Sequence, residues 1–263
     1  MHRISARKFL IAIMVVFAVG ALPTIVLANH SWNGYHWARQ SNPFTVKIGN
    51  NVSANWQPMY TRALSDWSAS GILDTGAAAG GTRPKSCRPT SGRVEVCSAS
   101  YGNTGWLGVA QIWVSGKHIT QGTVKLNDYY FGQGSQYNTT SWRELVTCQE
   151  IGHTLGLDHQ DTNFDNKNLG TCMDYTSNPD GPPANTDPDK HDYDELVTIY
   201  THLDSTTTVG QIARMPGAMS DIDYASPNQW GQLISGSAKT GVAKYDLDFG
   251  HRNHIFTFVI WAR

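Results

Sequence analysis

Residues 147–161 read "TCQEIGHTLGLDHQD" and decide how the rest of the chain is to be understood. Residues four apart in a helix share a face, so side chains at 149 and 153 can grip one ion. Glu150, one step along, faces the water on such an ion rather than the ion. Gly156 lets the backbone reverse, because glycine accepts the left-handed conformation on which helices often end. His159 then returns as a third donor. Three protein ligands with an open fourth position are what a catalytic zinc requires. A carboxylate beside the bound water can take its proton during attack on a carbonyl.

The segments on either side supply the frame. Ser141-Trp142-Arg143-Glu144 reads as a capping box, predicting a helix that starts there and runs to about Leu155. Upstream, "FTVKIGN" alternates as a strand does. "NWQPMYTRALSDWSAS" (55–70) puts Trp56, Met59, Leu64 and Trp67 near one face of a helix. "TGAAAGGTRP" reads as a glycine-rich loop, followed by three strand-like runs, "GRVEVCSASY", "GWLGVAQIWVSG" and "GTVKLNDYYF". Downstream, residues 164–189 are irregular, "KHDYDELVTIYTHLD" is a second helix and "STTTVGQIARMPGAMSDIDYASP" is a linker. The last thirty or so residues read as a small β unit. No internal repeat is apparent.

Composition bounds the partners. In 263 residues, acids and bases nearly cancel to a net charge of −1, and no long run of one sign occurs. That leaves no nucleic-acid footprint and no polybasic membrane patch. Nine Trp and eleven Tyr argue for a folded chain. Arg3, Arg7 and Lys8 precede an apolar stretch from Phe9 to Leu27, and Val26 and Ala28 are the small residues of a cleavage site. This is the pattern of a signal peptide over residues 1–28, with an uncleaved N-terminal membrane anchor as the alternative. Either way the remainder lies outside the cytoplasm. There the four cysteines, with no CxxC pair, read as two disulfides. Three connectivities are open. Cys87–Cys97, closing a short loop, and Cys148–Cys172 are the favoured set.

Glu150, His153, Gly156 and His159 match at every spacing the extended zinc motif of the metzincin metallopeptidases, which this chain resembles, except that Gln149 stands where the first zinc histidine belongs. "GTCMDYT" is similar to the metzincin Met-turn, with Met173 as the hydrophobic floor beneath the metal. Tyr175 matches the tyrosine that, in the astacin and serralysin branches, binds the metal or steadies the oxyanion. The order of elements over roughly residues 43–204 resembles the matrixin plan. The resemblance implies an α+β fold: a twisted mixed sheet with an active-site helix and a C-terminal helix, plus a short β extension. It implies a metzincin-like domain over 29–204, followed by a linker and C-terminal extension over 205–263. A Cys148–Cys172 bridge would brace the active-site helix against the Met-turn.

The implied function is that of a secreted, monomeric zinc endopeptidase acting on protein or peptide substrates. Gln149, His153 and His159 would be its Zn²⁺ ligands, Glu150 its general base and Tyr175 its oxyanion stabiliser. Glutamine offers an amide oxygen, a poorer zinc donor than imidazole. The alternatives are a catalytically inactive secreted binding protein, or recruitment of Asp158 or Asp161 as a replacement ligand. Retention of Glu150 favours the enzyme, because a purely structural zinc has no use for a carboxylate there.

Secondary expectations complete the reading. "DTNFDN" sets Asp161, Asn163 and Asp165 at alternate positions, an oxygen set suited to Ca²⁺, although it lacks the glycine and closing glutamate of an EF-hand. His118 and His191 are candidates to approach the site. Trp106 and Trp113 are candidates to contact substrate. Asn51 and Asn138 open glycosylation acceptor triplets. The short stretch between the cleavage site and the first strand leaves no room for a folded propeptide, so activity on secretion is expected.

Overall fold

The computed structural model describes residues 29–213, 216–220 and 225–263. The expected signal peptide lies outside them. Among the described residues no helix is long and apolar enough to cross a membrane.

The fold is α+β, built on one mixed sheet. A short strand β1 (His36–Trp37) precedes β2 (Phe44–Asn51), which turns Phe44, Val46 and Ile48 inward. Helix α1 (Gln57–Ser68) has proline in its first turn, where the missing N–H costs nothing, and buries Tyr60, Leu64 and Trp67. Strands β3 (Leu73–Ala79), β4 (Val94–Ala99), β5 (Trp106–Ser115) and β6 (His118–Asn127) follow, then helix α2 (Thr140–Thr154) and helix α3 (Lys190–Ile199). Strands β7 (Gln232–Gly236), β8 (Val242–Asp248) and β9 (Asn253–Trp261) close the chain. The order across the sheet is β3-β2-β4-β6-β5-β9-β8-β7, with β1 paired to β6. Pairing is parallel from β3 to β6 and antiparallel from β6 to β7.

Several expectations change. "TGAAA" belongs to β3, not to a loop: its backbone completes the edge of the sheet against β2, which overrides a composition poor in β-formers. Helix α2 is capped by Thr139, whose hydroxyl accepts from the Trp142 amide at 3.2 Å; Ser141 lies inside the helix and bonds Asp180. Glu144 pairs with Arg62 instead of folding back on the cap. The reciprocal capping box occurs at α3, between Asp189 and Asp192.

The C-terminal strands do not stand apart. β9 lies along the whole of β5, so the expected extension continues the main sheet. Its run "IFTFVIW" is buried on both faces. Phe256, Phe258 and Ile260 join the principal core with α1 and α2. Val259 and Trp261 pack on the other face with Trp106 and Trp230, and Ile255 packs there with Trp113 and Met219. Trp106 and Trp113 are therefore fully buried on the face away from α2, packed among apolar neighbours rather than presented to a substrate. Both disulfides have the favoured pairing, Cys87–Cys97 and Cys148–Cys172. Asn51 is buried and donates to Glu95, while Asn138 is exposed.

Candidate functional site

Helix α2 carries Cys148, Gln149, Glu150 and His153, all buried. It ends in a tight reversal: the amides of Gly156 and Leu157 bond back to His153 and Gly152. Gly156 has φ +100°, and any Cβ there would meet the Tyr35 carbonyl oxygen at 2.4 Å. The N-terminal lead clasps this turn. Trp32 N donates to the Gly156 carbonyl at 2.8 Å, and Asp158 N donates to the His30 carbonyl at 2.6 Å.

The reversal brings His159 back to the helix. Its ring lies 4.5 Å from that of His153, and its Nε2 is 3.3 Å from Gln149 Oε1. Gln149 Nε2 donates to the Cys172 carbonyl at 2.6 Å, which turns its oxygen toward the histidines. His153 Nδ1 is 2.9 Å from the Leu157 carbonyl, so Nδ1 carries the proton and Nε2 keeps its lone pair. That Nε2 is buried and has no hydrogen-bond partner. Burial, reinforced by His159, holds the His153 pKa well below the usual imidazole range. A neutral imidazole with a free Nε2 is the form that ligates metal.

Glu150 has no exposed surface, and only the backbone at Ala110 and Ile260 approaches its carboxylate, short of well-formed hydrogen bonds. The backbone of β5 passes beside it, since a Cβ on Gly108 would meet Glu150 Oε1 at 2.8 Å. Desolvation pushes its pKa well above the carboxylate range, opposed by the backbone at Ala110 and Ile260.

Asp158 and Asp161 are engaged elsewhere. Asp158 Oδ2 pairs with Lys244 at 2.6 Å, and its Oδ1 accepts from the His159 amide at 2.7 Å. Burial alone would raise its pKa, but His159 and Lys244 hold it below the usual range. Asp161 accepts from the Asn163 amide and the Asn166 side chain. Asn163 in turn accepts from the Asp165 amide, so these oxygens are spent within the loop, and calcium has no support here.

Met173 is fully buried beneath α2, where a Cβ on Gly152 would meet its sulfur at 2.6 Å. The adjacent Cys172 is the one bridged to Cys148, so helix and turn are joined covalently under the site. Tyr175 is buried too, and its hydroxyl donates to the Trp261 carbonyl at 3.3 Å, toward β9 rather than toward either histidine. His191 stacks on His30 at 4.8 Å, and His118 belongs to a different cluster.

The composition of the site was legible; its cover was not. Phe258 lies flat on His153, ring centroids 4.3 Å apart and 11° from parallel. Gly241, with φ +90°, sits so close to Tyr175 that a Cβ would meet its hydroxyl at 2.3 Å. Lys244 closes the rim through Asp158. Of the motif side chains, His159 reaches a cavity of about 220 Å³, which Thr240 and Lys244 also line. The unbroken apolar run of β9 marks a strand buried on both faces, but no local signal says which edge it joins.

Gln149 Oε1, His153 Nε2 and His159 Nε2 are donors of the kind zinc takes. The 3.3 Å between Gln149 Oε1 and His159 Nε2 matches the edge of about 3.3–3.4 Å that zinc bonds of 2.0–2.1 Å impose on a tetrahedron. The orphaned Nε2 of His153 is a donor that nothing else uses.

No known protein-family profile matches the sequence, and no curated protein matches it. Among solved structures it is similar to myroilysin, at 11% identity over 65% of this chain and 84% of that one, with a TM-score of 0.39. It is also similar to the hatching enzyme zinc-protease HCE-1 of the medaka fish Oryzias latipes, at 11% identity over 64% and 96% of the two chains, with a TM-score of 0.34.

Proposed function

We propose that this protein is a secreted, metzincin-like zinc endopeptidase whose cleft is closed by its own C-terminal strands. The observation that carries the reading is the burial of Glu150 in one site with His153, whose Nε2 has no hydrogen-bond partner. Leaving such a buried polar group unsatisfied costs about 1–3 kcal/mol. A hydrolytic site accounts for both residues.

His153, His159 and Gln149 would hold the metal, with Leu157 and Cys172 fixing the orientation of two of these side chains through their carbonyls. Zinc bound there would supply Lewis acidity, polarising a peptide carbonyl and acidifying water. Glu150 accepts the proton of the attacking water and passes it to the leaving amine. Strand β5 offers the substrate a ladder of backbone donors and acceptors, the edge at which an extended peptide can add as a strand. β9 now fills that edge in antiparallel register. Substrate entry therefore requires β9 to yield, after which Tyr175, freed from Trp261, can turn toward the developing oxyanion. In this reading residues 1–28 are the signal peptide, 29–204 the catalytic unit and 205–263 the linker and cover. The two disulfides suit an oxidising compartment. The cover replaces the expectation of activity on secretion with latency.

The inactive alternative rests on a specific observation as well, the stacking of Phe258 on His153, which excludes substrate as long as it persists. Casein hydrolysis separates the two. Gly241→Ala drives a methyl into Tyr175 and should loosen the cover, raising zinc-dependent cleavage above that of the wild-type chain; adding Glu150→Gln should abolish it. A folded Gly241→Ala protein that binds zinc and cleaves nothing would establish the inactive reading. Cleavage indifferent to Glu150→Gln would remove the proposed base.

A further inference from the structure

A second group of metal-ligating side chains lies outside the motif. His36 in β1, His118 at the start of β6, and Asp204 beyond α3 present ligand atoms within 4.8 Å of one another. His202 stands beside them, its Nε2 3.1 Å from His36 Nε2 and 3.7 Å from Asp204 Oδ1, but it does not reach His118 as the other two do. Asp204 Oδ1 is also 3.3 Å from His36 Nε2 and 3.2 Å from His118 Nε2. These separations bracket the tetrahedral edge of about 3.3–3.4 Å expected for zinc. We propose that His36, His118 and Asp204 hold a second zinc ion, with His202 beside it, and that this ion pins the N-terminal lead to the sheet and to the segment after α3.

The surroundings orient each donor for a cation. His36 Nδ1 is 2.8 Å from the Gly34 carbonyl, which places its proton there and leaves Nε2 with a lone pair facing the cluster. The other oxygen of Asp204 accepts from the Arg39 guanidinium at 3.0 Å and the Arg39 amide at 3.2 Å, so Oδ1 alone is turned to the three imidazoles. His36 Nε2 and His118 Nε2 converge on that oxygen, and a divalent ion between them would engage all three at once.

Two imidazoles and one carboxylate are a borderline donor set suited to zinc, and His202 stands beside the remaining position. The site is accessible for loading, since the His118 and His202 side chains are 35% and 50% exposed. Its ligands come from segments far apart in sequence, so binding adds directly to folding free energy. It also steadies the motif at a distance. The Tyr200 hydroxyl donates to the Leu155 carbonyl at the end of α2, and Arg39 donates to the Tyr200 carbonyl at 2.7 Å.

The test is zinc stoichiometry and zinc-dependent melting of the full chain, after stripping with chelator and reloading with zinc alone. The double variant His118→Ala/His202→Ala removes one ligand and the imidazole beside the site, and should bind one equivalent fewer than wild type. Its zinc-induced rise in Tm should shrink. His159→Ala, which disables only the motif, should keep the part of the rise that the double variant loses. Asp204→Asn should weaken uptake at this site by at least about tenfold, as loss of a ligand charge does. Wild-type stoichiometry and an unchanged zinc-dependent Tm rise in the folded double variant would overturn the proposal and leave the motif untouched. Loss of all zinc in His159→Ala would overturn it as well.

Discussion

The two histidine clusters differ in almost every physical respect. The motif cluster draws its donors from eleven consecutive positions, 149–159, and is buried beneath β9 with an amide oxygen as one donor. The second cluster spans positions 36–204, lies at the surface, and has two imidazoles and a carboxylate, with a third imidazole beside them. Sequence spacing exposes the first and conceals the second. By donor chemistry the concealed one is the better zinc site. A helix periodicity announces where ligands converge, not how well they bind or whether anything can reach them.

Replacing Glu150 is the sharpest way to break the comparison, because only the motif cluster has a reaction to lose. Glu150→Gln in the Gly241→Ala background should lower the casein cleavage rate by about 10²–10⁴-fold, the usual contribution of a general base, with zinc content unchanged. Next in size is the support beneath the motif. Asp192 is fully buried and accepts from His30, Gln160, Thr171 and the Asp189 amide. Asp192→Ala strands those donors and should cost about 2–4 kcal/mol in urea unfolding, several times the value of one hydrogen bond.

A smaller change sharpens the contrast in donor chemistry. Gln149→His should tighten zinc at the motif by about tenfold or more, read by competition with a chromophoric chelator, because imidazole outranks an amide oxygen. An unchanged affinity would mean that position 149 does not serve the metal. The smallest effect lies away from both clusters. Burial, and then the neighbouring Asp187 carboxylate, push the Asp66 pKa up to about 6, against the pull of Arg62. The folded chain holds this proton more tightly than the unfolded one, so its stabilising contribution is present below about pH 4 and is lost as pH rises through about 6. Asp66→Asn should flatten that part of the stability–pH curve in thermal melts.

Much of the architecture was legible because it is local. The periodicity of "MYTRALSDW" places α1, alternation places β2, and Gly156 marks the end of α2. The errors are local as well. The serine of a plausible capping box lost to Thr139, whose backbone is extended and whose hydroxyl already holds the Trp142 amide. A glycine-rich run became β3 because β2 had an edge to fill. Neither competition can be judged without knowing what lies alongside.

The sequence by itself determined the helix that carries Gln149, Glu150 and His153, its glycine stop and the return of His159. It also supplied the favoured cysteine pairing that the structure adopts. The helix, its stop and the return follow from backbone geometry over short separations, whereas the cysteine pairing was one of three open connectivities until the structure showed it. Only the tertiary structure decided that β9 lies on β5 with Phe258 over His153, that Trp106 and Trp113 face away from the site, and that His36, His118, His202 and Asp204 meet. Strand pairing and packing bring together residues more than a hundred positions apart, and no periodicity in the sequence encodes which edges and loops will be neighbours.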